Sequence, residues 1–239
     1  MKIIAIGDIH GNPIWKDIVN KEIETTNKFV FTGDYFDSFV YTTEEQCRNF
    51  LDIIAFKKEN PLKVVLLWGN HDDHYRVGDS GTSGYQAIGK FQIERLIEYH
   101  IELFDLVHQH GTYLFSHAGV SPVFLDQTFG KDGWTIHNFI TKLNDMFEFK
   151  PGFLQFNGSD STGDDPEQSP IWIRPKSLMK ANKDSLIRKN FVQIVGHTKM
   201  KKIDVEGRAT GLKYAFIDTL NTNKEYLIID GGSFRSGKI

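Results

Sequence analysis

Five times along the chain an apolar run stops at a turn residue and is followed by a carboxylate, amide or imidazole side chain. The runs are Ile3-Ile4-Ala5-Ile6-Gly7-Asp8-Ile9-His10, Phe29-Val30-Phe31-Thr32-Gly33-Asp34, Val64-Val65-Leu66-Leu67-Trp68-Gly69-Asn70-His71-Asp72, Tyr113-Leu114-Phe115-Ser116-His117 and Val192-Gln193-Ile194-Val195-Gly196-His197. Short apolar runs bounded by turn residues read as strands buried on both faces. In α/β folds the junction of strand and loop is the usual seat of chemistry. Five such ends brought to one rim would make a metal cage.

The segments between the runs fix the fold class as α/β. Pro13 suits the first turn of a helix, and Trp15, Ile18, Val19 and Ile23 have helical spacing. Strand, helix and strand in that order predict a right-handed βαβ unit and a parallel sheet. Thr42-x-x-Glu45 predicts a capping box for a helix running to Lys58, with Phe50, Ile53, Ile54 and Cys47 on one face. Residues 72–84 read as a loop, and Ser83-x-x-Gln86 as the cap of a helix containing Phe91, Ile93, Leu96 and Ile97. Leu103 to Val107 and Thr112 to Phe115 predict an antiparallel hairpin and hence a second sheet, Asn138 to Phe147 a helix, and Tyr214 to Asp218 with Tyr226 to Ile229 a closing hairpin. Residues 150–170, rich in Gly, Ser, Asp and Pro, read as a mobile insertion within a single domain spanning 1–239.

A length of 239 residues allows a sizeable core, and a net charge of −3 gives no basic footprint for a nucleic-acid backbone, so no nucleic-acid partner is expected. The single Cys47 cannot form an internal disulfide, which fits a reducing compartment. Met1 leads straight into a strand with no basic, apolar and small-residue leader pattern, and no apolar run reaches the roughly 18 residues of a membrane span. The expectation is a cytoplasmic protein with no membrane partner.

The residue types point to two cations. Asp8 and His10, two apart in a glycine-rich loop, can turn to one ion; Asp34 can bridge two; Asn70, His117 and His197 would complete a second site. Imidazole and carboxylate without thiolate suit manganese, iron or zinc, with manganese favoured, and disfavour a structural zinc. Two divalent ions against Asp8 and Asp34 leave a charge of about +2, which attracts phosphate, and a water held between the ions can attack phosphorus in line. His71, beside Asn70, is free to protonate the leaving oxygen, and Asp37 could hold its other ring nitrogen. Arg174, just after the predicted insertion, is a candidate fork for phosphate oxygens, and the basic run Lys199, Lys201 and Lys202 reads as a solvated turn that could also help attract an anionic substrate. His74, His100, His108, His110 and His137 read as structural or solvated, Trp172 as packing, and Asp160, Asp164 and Asp165 as a solvated loop.

In order, Gly7-Asp8-Ile9-His10-Gly11, Gly33-Asp34-Tyr35-Phe36-Asp37, Gly69-Asn70-His71-Asp72, Ser116-His117-Ala118-Gly119 and Gly196-His197-Thr198 resemble the five motifs of the calcineurin-like metallophosphoesterases. His117-Ala118-Gly119-Val120-Ser121-Pro122 is most similar to the bacterial and phage serine/threonine phosphoprotein phosphatases. The resemblance implies a two-sheet β-sandwich flanked by helices in four layers, αββα, with two metals at the strand ends. It implies Asp8, His10 and Asp34 at the first metal, Asp34, Asn70, His117 and His197 at the second, and His71 with Asp37 as the acid pair. Two positions depart from that branch: Ser38 stands where an arginine usually follows the second motif, and Asp72 where glutamate is common.

The function expected is hydrolysis of a phosphate monoester, on a phosphoprotein or a small molecule. Hydrolysis of a diester or a dinucleoside polyphosphate is the alternative within the superfamily. A scaffold that has lost catalysis is disfavoured by the presence of His71 and of every expected ligand.

Overall fold

The computed structural model describes residues 1–78, 83–150, 152–154, 162–206 and 213–239. Its strands are β1 (Lys2–Ile6), β2 (Lys28–Phe31), β3 (Val64–Leu67), β4 (Phe104–Asp105), β5 (Val107–His110), β6 (Tyr113–Ser116), β7 (Val192–Val195), β8 (Asp204–Glu206), β9 (Tyr214–Phe216), β10 (Glu225–Asp230) and β11 (Ser233–Lys238). The helices are α1 (Trp15–Glu22), α2 (Thr43–Glu59), α3 (Asn70–Val77), α4 (Lys90–His100), α5 (Pro122–Phe129), α6 (Phe139–Phe149), α7 (Pro175–Ala181), α8 (Leu186–Asn190) and α9 (Leu220–Asn223).

Two sheets form, one in the order β11-β10-β1-β2-β3-β4 and the other β5-β6-β7-β9-β8. The period-two alternation of each strand assigns its side chains to layers. Ile3, Ala5, Val30, Val65, Leu67, Phe115, Ile194, Ala215, Leu227 and Ile229 form the core between the sheets. Their neighbours Ile4, Ile6, Phe29, Phe31, Val64 and Leu66 face the other way and pack with Trp15 and Ile18 of α1 and Phe50 and Ile53 of α2. On the second sheet Val195, Tyr214 and Phe216 meet Ile173 and Leu178. The result is the four-layer sandwich that the resemblance implies. Each such Leu, Ile or Phe removed from water contributes about 1.5–3 kcal/mol, which is why runs apolar on both faces become central strands.

β1, β2 and β3 are mutually parallel, as are β6, β7 and β9. Their carboxyl ends lie at one rim, where the Nδ1 of His117, from the second sheet, is 2.7 Å from the Thr32 carbonyl of the first. The capping box forms as expected: the Glu45 amide donates to Thr42 Oγ1 at 3.3 Å and the Thr42 amide to Glu45 Oε2 at 2.8 Å.

Four expectations are corrected. Of the loop expected over 72–84, residues 72–77 belong to helix α3, because Gly69 in extended conformation starts a turn in which its amide donates to Asp72. The helix after Ser83 begins only at Lys90 with no side-chain cap, since Gln86 is used instead to donate to the Ser38 and Gly84 carbonyls. The first hairpin is Val107–His110 with Tyr113–Ser116, and Phe104–Asp105 pairs in parallel with β3, so the chain changes sheets at Leu106. Tyr214–Phe216 and Glu225–Asp230 lie in different sheets; the closing hairpin is β10 with β11, turning at Gly231-Gly232.

Much of the expected insertion, and Asp160 within it, lies outside the described residues. Its described flanks are tied down, with Ser169 Oγ donating to the Leu154 carbonyl and Ser121 Oγ to that of Pro166. Among the described residues no helix is long and apolar enough to cross a membrane.

Candidate metal centre

Four residues at the rim hold positive φ without being glycine: His10 at 44°, Asp34 at 54°, Asp37 at 66° and His197 at 63°. Each costs on the order of 1–3 kcal/mol, a strain that persists only where surroundings over-determine it. Here the surroundings are hydrogen bonds among the motifs themselves. The His10 amide donates to the Asp34 carbonyl at 2.7 Å, and the His197 amide to the Asp8 carboxylate at 3.0 and 3.1 Å. The His71 amide donates to Asp34 Oδ1 at 2.9 Å, while buried Asp72 accepts from the amides of Asp34, Tyr35 and Gly69. Two motif glycines are required by close approach: a Cβ on Gly69 would collide with Asp34 Oδ1, and one on Gly196 with Asp8 Oδ1.

The imidazoles are oriented by backbone carbonyls. His10 Nδ1 lies 2.7 Å from the Phe36 oxygen, His117 Nδ1 2.7 Å from that of Thr32, and His197 Nε2 3.0 Å from that of Trp172. Burial lowers the pKa of all three, to about 4 for His10, to about 3 for His117 and well below the usual value for His197, so each ring is neutral at pH 7. A neutral ring has one N–H, and a carbonyl can only accept, so the proton resides on the nitrogen facing the carbonyl. The remaining lone pairs are then aimed at one another's space. His117 Nε2 and His197 Nδ1 each lie 2.9 Å from Asn70 Oδ1, and His117 Nε2 and His10 Nε2 lie 3.4 and 3.7 Å from Asp34 Oδ2.

The carboxyls crowd in the same way. Burial raises Asp8, and the charges of Asp218 and Asp34 add to the rise. Asp34 is raised by burial and then by Asp72; burial raises Asp72 to about 8 and Asp218 to about 6. Lone pairs facing acceptors and carboxyls facing carboxyls form a donor set that fits divalent cations, with nitrogen and oxygen ligands backed by carbonyls on the second ring nitrogens. Ligand atoms of Asp8, Asp34 and His117 lie within 4.8 Å of one another, as do those of His10, Asp34 and His71, so Asp34 belongs to both groups.

Beside these groups His71 Nδ1 lies 2.9 Å from Asp37 Oδ2. Asp37 is buried, which would raise its carboxyl, but hydrogen bonds from His71 and His74 outweigh burial and hold it near 2. Arg174 stands at the N-cap position of α7, and its guanidinium donates from Nε to the Thr162 carbonyl at 3.0 Å and from Nη1 to Thr198 Oγ1 at 3.2 Å. Asp8, His10, Asp34, Asp37, His71, His197 and Arg174 line a cavity of about 630 Å³, while Asn70 and His117 lie buried beneath it.

Sequence reasoning missed Asp218, which follows Tyr214-Ala215-Phe216-Ile217 and lines the cavity; the run lacks the Gly or Ser that closes the other five. It missed Asn221, whose Nδ2 donates to the Asp8 carbonyl at 2.7 Å. His74, taken as structural or solvated, is buried with Nε2 2.7 Å from Asp37 Oδ2. Trp172 contributes its carbonyl to His197 besides packing. Ser38 lines the cavity and its Oγ accepts from the amides of Val40 and Tyr41. Asp164, expected in solvent, accepts from the Ser177 amide.

Comparison with known proteins bears on the family and the fold. The sequence model of the calcineurin-like phosphoesterases matches residues 1–200. The fold is similar to that of a cold-active protein-tyrosine phosphatase of a psychrophilic Shewanella species, with a TM-score of 0.69 and 17% identity over 99% of this chain and 77% of that one. It is similar to a protein serine/threonine phosphatase from Saccharomyces cerevisiae, TM-score 0.58 and 15% identity, covering 100% and 80% of the two chains. A putative diadenosine tetraphosphatase gives 0.51 and 13% over 99% and 92%. No curated protein matches the sequence.

Proposed function

The chain belongs to the calcineurin-like phosphoesterases, and from that premise we propose that it hydrolyses phosphate monoesters, of a phosphoprotein or a small molecule, with two divalent cations bound at the rim. Asp8, His10 and Asp34 would hold one ion and Asp34, Asn70, His117 and His197 the other; the mixed oxygen and nitrogen donors without thiolate suit manganese, iron or zinc, and of these manganese is the ion we propose. When bound, the pair supplies Lewis acidity toward phosphate oxygens and toward water.

The remaining roles fall to the chain. Arg174, anchored by Thr162 and Thr198 at the cavity wall, binds a non-bridging phosphate oxygen. His71 gives the proton at Nε2 to the ester oxygen as its bond to phosphorus breaks, and Nδ1–H stays on Asp37. Water supplies the oxygen that forms the new bond to phosphorus, so the products are the alcohol and inorganic phosphate. Charged Lys199 at the cavity wall favours anions.

The observation that carries the reading is the set of three carbonyls, of Phe36, Thr32 and Trp172, that turn the lone pairs of His10, His117 and His197 toward Asp34 and Asn70. The test is hydrolysis of an aryl phosphate monoester beside the matching diester, by chelated protein given manganese, iron, zinc or no metal. Metal-dependent monoesterase activity is expected. Preference for the diester would replace the substrate class, and silence under every metal would overturn the reading.

A further inference from the structure

Helix α3 presents three hydrogen-bonding side chains to one carboxylate. His71, His74 and Tyr75 are three and four apart and so share a face. His71 Nδ1 and His74 Nε2 lie 2.9 and 2.7 Å from the same oxygen, Asp37 Oδ2, and the Tyr75 hydroxyl donates to Oδ1 at 2.6 Å. Asp37 is ionised at neutral pH, and an ionised carboxylate only accepts, so both imidazole nitrogens facing it carry protons. The side chain of His74 is 4% exposed and that of Asp37 fully buried, whereas His71 reaches the cavity. The far side of the network is closed as well, because the Gln86 amide donates to the Tyr75 hydroxyl at 2.9 Å.

We propose that His74 is a positioning residue for the leaving-group acid: its Nε2–H holds Asp37 Oδ2 in the one orientation that keeps His71 Nδ1–H bound and His71 Nε2 facing the substrate. The inference rests on the proposed role of His71 as the acid. His74 acts through Asp37 and does not line the cavity. Without His74, Oδ2 keeps one imidazole donor in place of two, so the carboxylate is held less firmly about its Cβ–Cγ bond and the His71 ring with it. A ring misaimed at the ester oxygen costs most where the leaving group needs the proton most.

The test uses the metal-loaded full chain with an alkyl phosphate and an activated aryl phosphate, comparing wild type, His74→Ala, His74→Gln and His71→Ala. Wild type and His71→Ala measure the premise: His71→Ala should lower the alkyl rate far more than the aryl rate. His74→Ala should lower kcat on the alkyl ester by about 10–100-fold, a part of the range typical of general acid catalysis, with KM unmoved and the aryl rate within about threefold. His74→Gln, which keeps an N–H donor of similar reach, should recover most of the loss. Equal losses on both esters, or no recovery in a folded Gln variant, would overturn the proposal. Proton NMR of the metal-free wild type removes dependence on the folding of any variant: two imidazole N–H resonances bound to carboxylate are expected, from His71 and His74, and only one would overturn it. A His71→Ala variant that keeps the wild-type alkyl-to-aryl ratio would overturn the acid role and this inference together, whereas the failures specific to His74 leave the phosphatase reading standing.

Discussion

Asp37→Asn changes one atom and tests the acid pair at its anchor. The carboxyl is held near 2 against an ordinary 3.8, although burial alone would raise it, because His71 and His74 donate to it. The sign follows from linkage: a depressed carboxyl contributes stability that is complete above its unfolded value and is lost as pH falls through the folded one. The difference amounts to about 2 kcal/mol at neutral pH. An amide carries no charge and turns an N–H toward either the two imidazoles or the Tyr75 hydroxyl, leaving buried donors without an acceptor at about 1–3 kcal/mol more. The variant should therefore lose about 3–5 kcal/mol, which for a chain of this size is a fall in Tm of about 10 °C. That deficit should shrink as pH is taken from 7 toward 3, where wild-type Asp37 begins to lose the same contribution. Turnover on an alkyl phosphate should fall about 100-fold and on an activated aryl phosphate much less. Thermal melts across pH and paired-substrate kinetics read both effects. An unchanged Tm, or a rate loss the same for both esters, would refute the reasoning.

Other parts of the structure give independent predictions. Gly69→Ala places a methyl against Asp34 Oδ1; overpacking should cost about 1–3 kcal/mol in a melt, and displacement of the shared carboxylate should weaken metal binding about 10–100-fold. Buried Glu22, far from the rim, accepts from Lys2 Nζ at 2.5 Å and from the Tyr226 hydroxyl at 2.6 Å; burial would raise it, but these bonds hold it below its usual value. Glu22→Gln should cost about 1–2 kcal/mol at pH 7 and progressively less below pH 4.5 as wild-type Glu22 protonates, with kcat unmoved. Arg174→Ala should raise KM for a phosphate monoester about tenfold or more through loss of a charge-assisted bond, with metal content unchanged.

The sequence reading succeeded where the information is local. Each of β1, β2, β3, β6 and β7 is an apolar run closed by Gly or Ser, and the polar residue after it sits on the rim because the strand fixes where it ends. The same locality made the Thr42 and Glu45 capping box legible. Pairing between distant segments was not: Tyr214–Phe216 and Glu225–Asp230 are neighbours in sequence, yet each finds more buried surface in a different sheet. The short helix Asn70–Val77 carries Asn, His and Asp, poor helix formers, and is held by Asp72 bonding back to Gly69 rather than by intrinsic propensity. Asp218 escaped notice because it closes a strand without a Gly or Ser before it, and His74 because only the helix turn reveals that it and His71 share Asp37. The roles proposed for Asp8, Asp34, Asn70 and the three carbonyl-backed histidines rest on the third dimension too, since no spacing in the sequence says which ring nitrogen keeps its lone pair.

The most direct measurement is the stoichiometry of manganese taken up by the chelated protein, by calorimetric titration with elemental analysis, for wild type, Asp34→Asn and His71→Ala. The account predicts two ions per chain in wild type, two in His71→Ala, and loss of tight binding at both sites in Asp34→Asn, because both proposed ligand sets include Asp34, whose Oδ2 lies 3.7 Å from His10 Nε2 and 3.4 Å from His117 Nε2. A single ion in wild type, or an Asp34→Asn protein that still binds two as tightly, would contradict it.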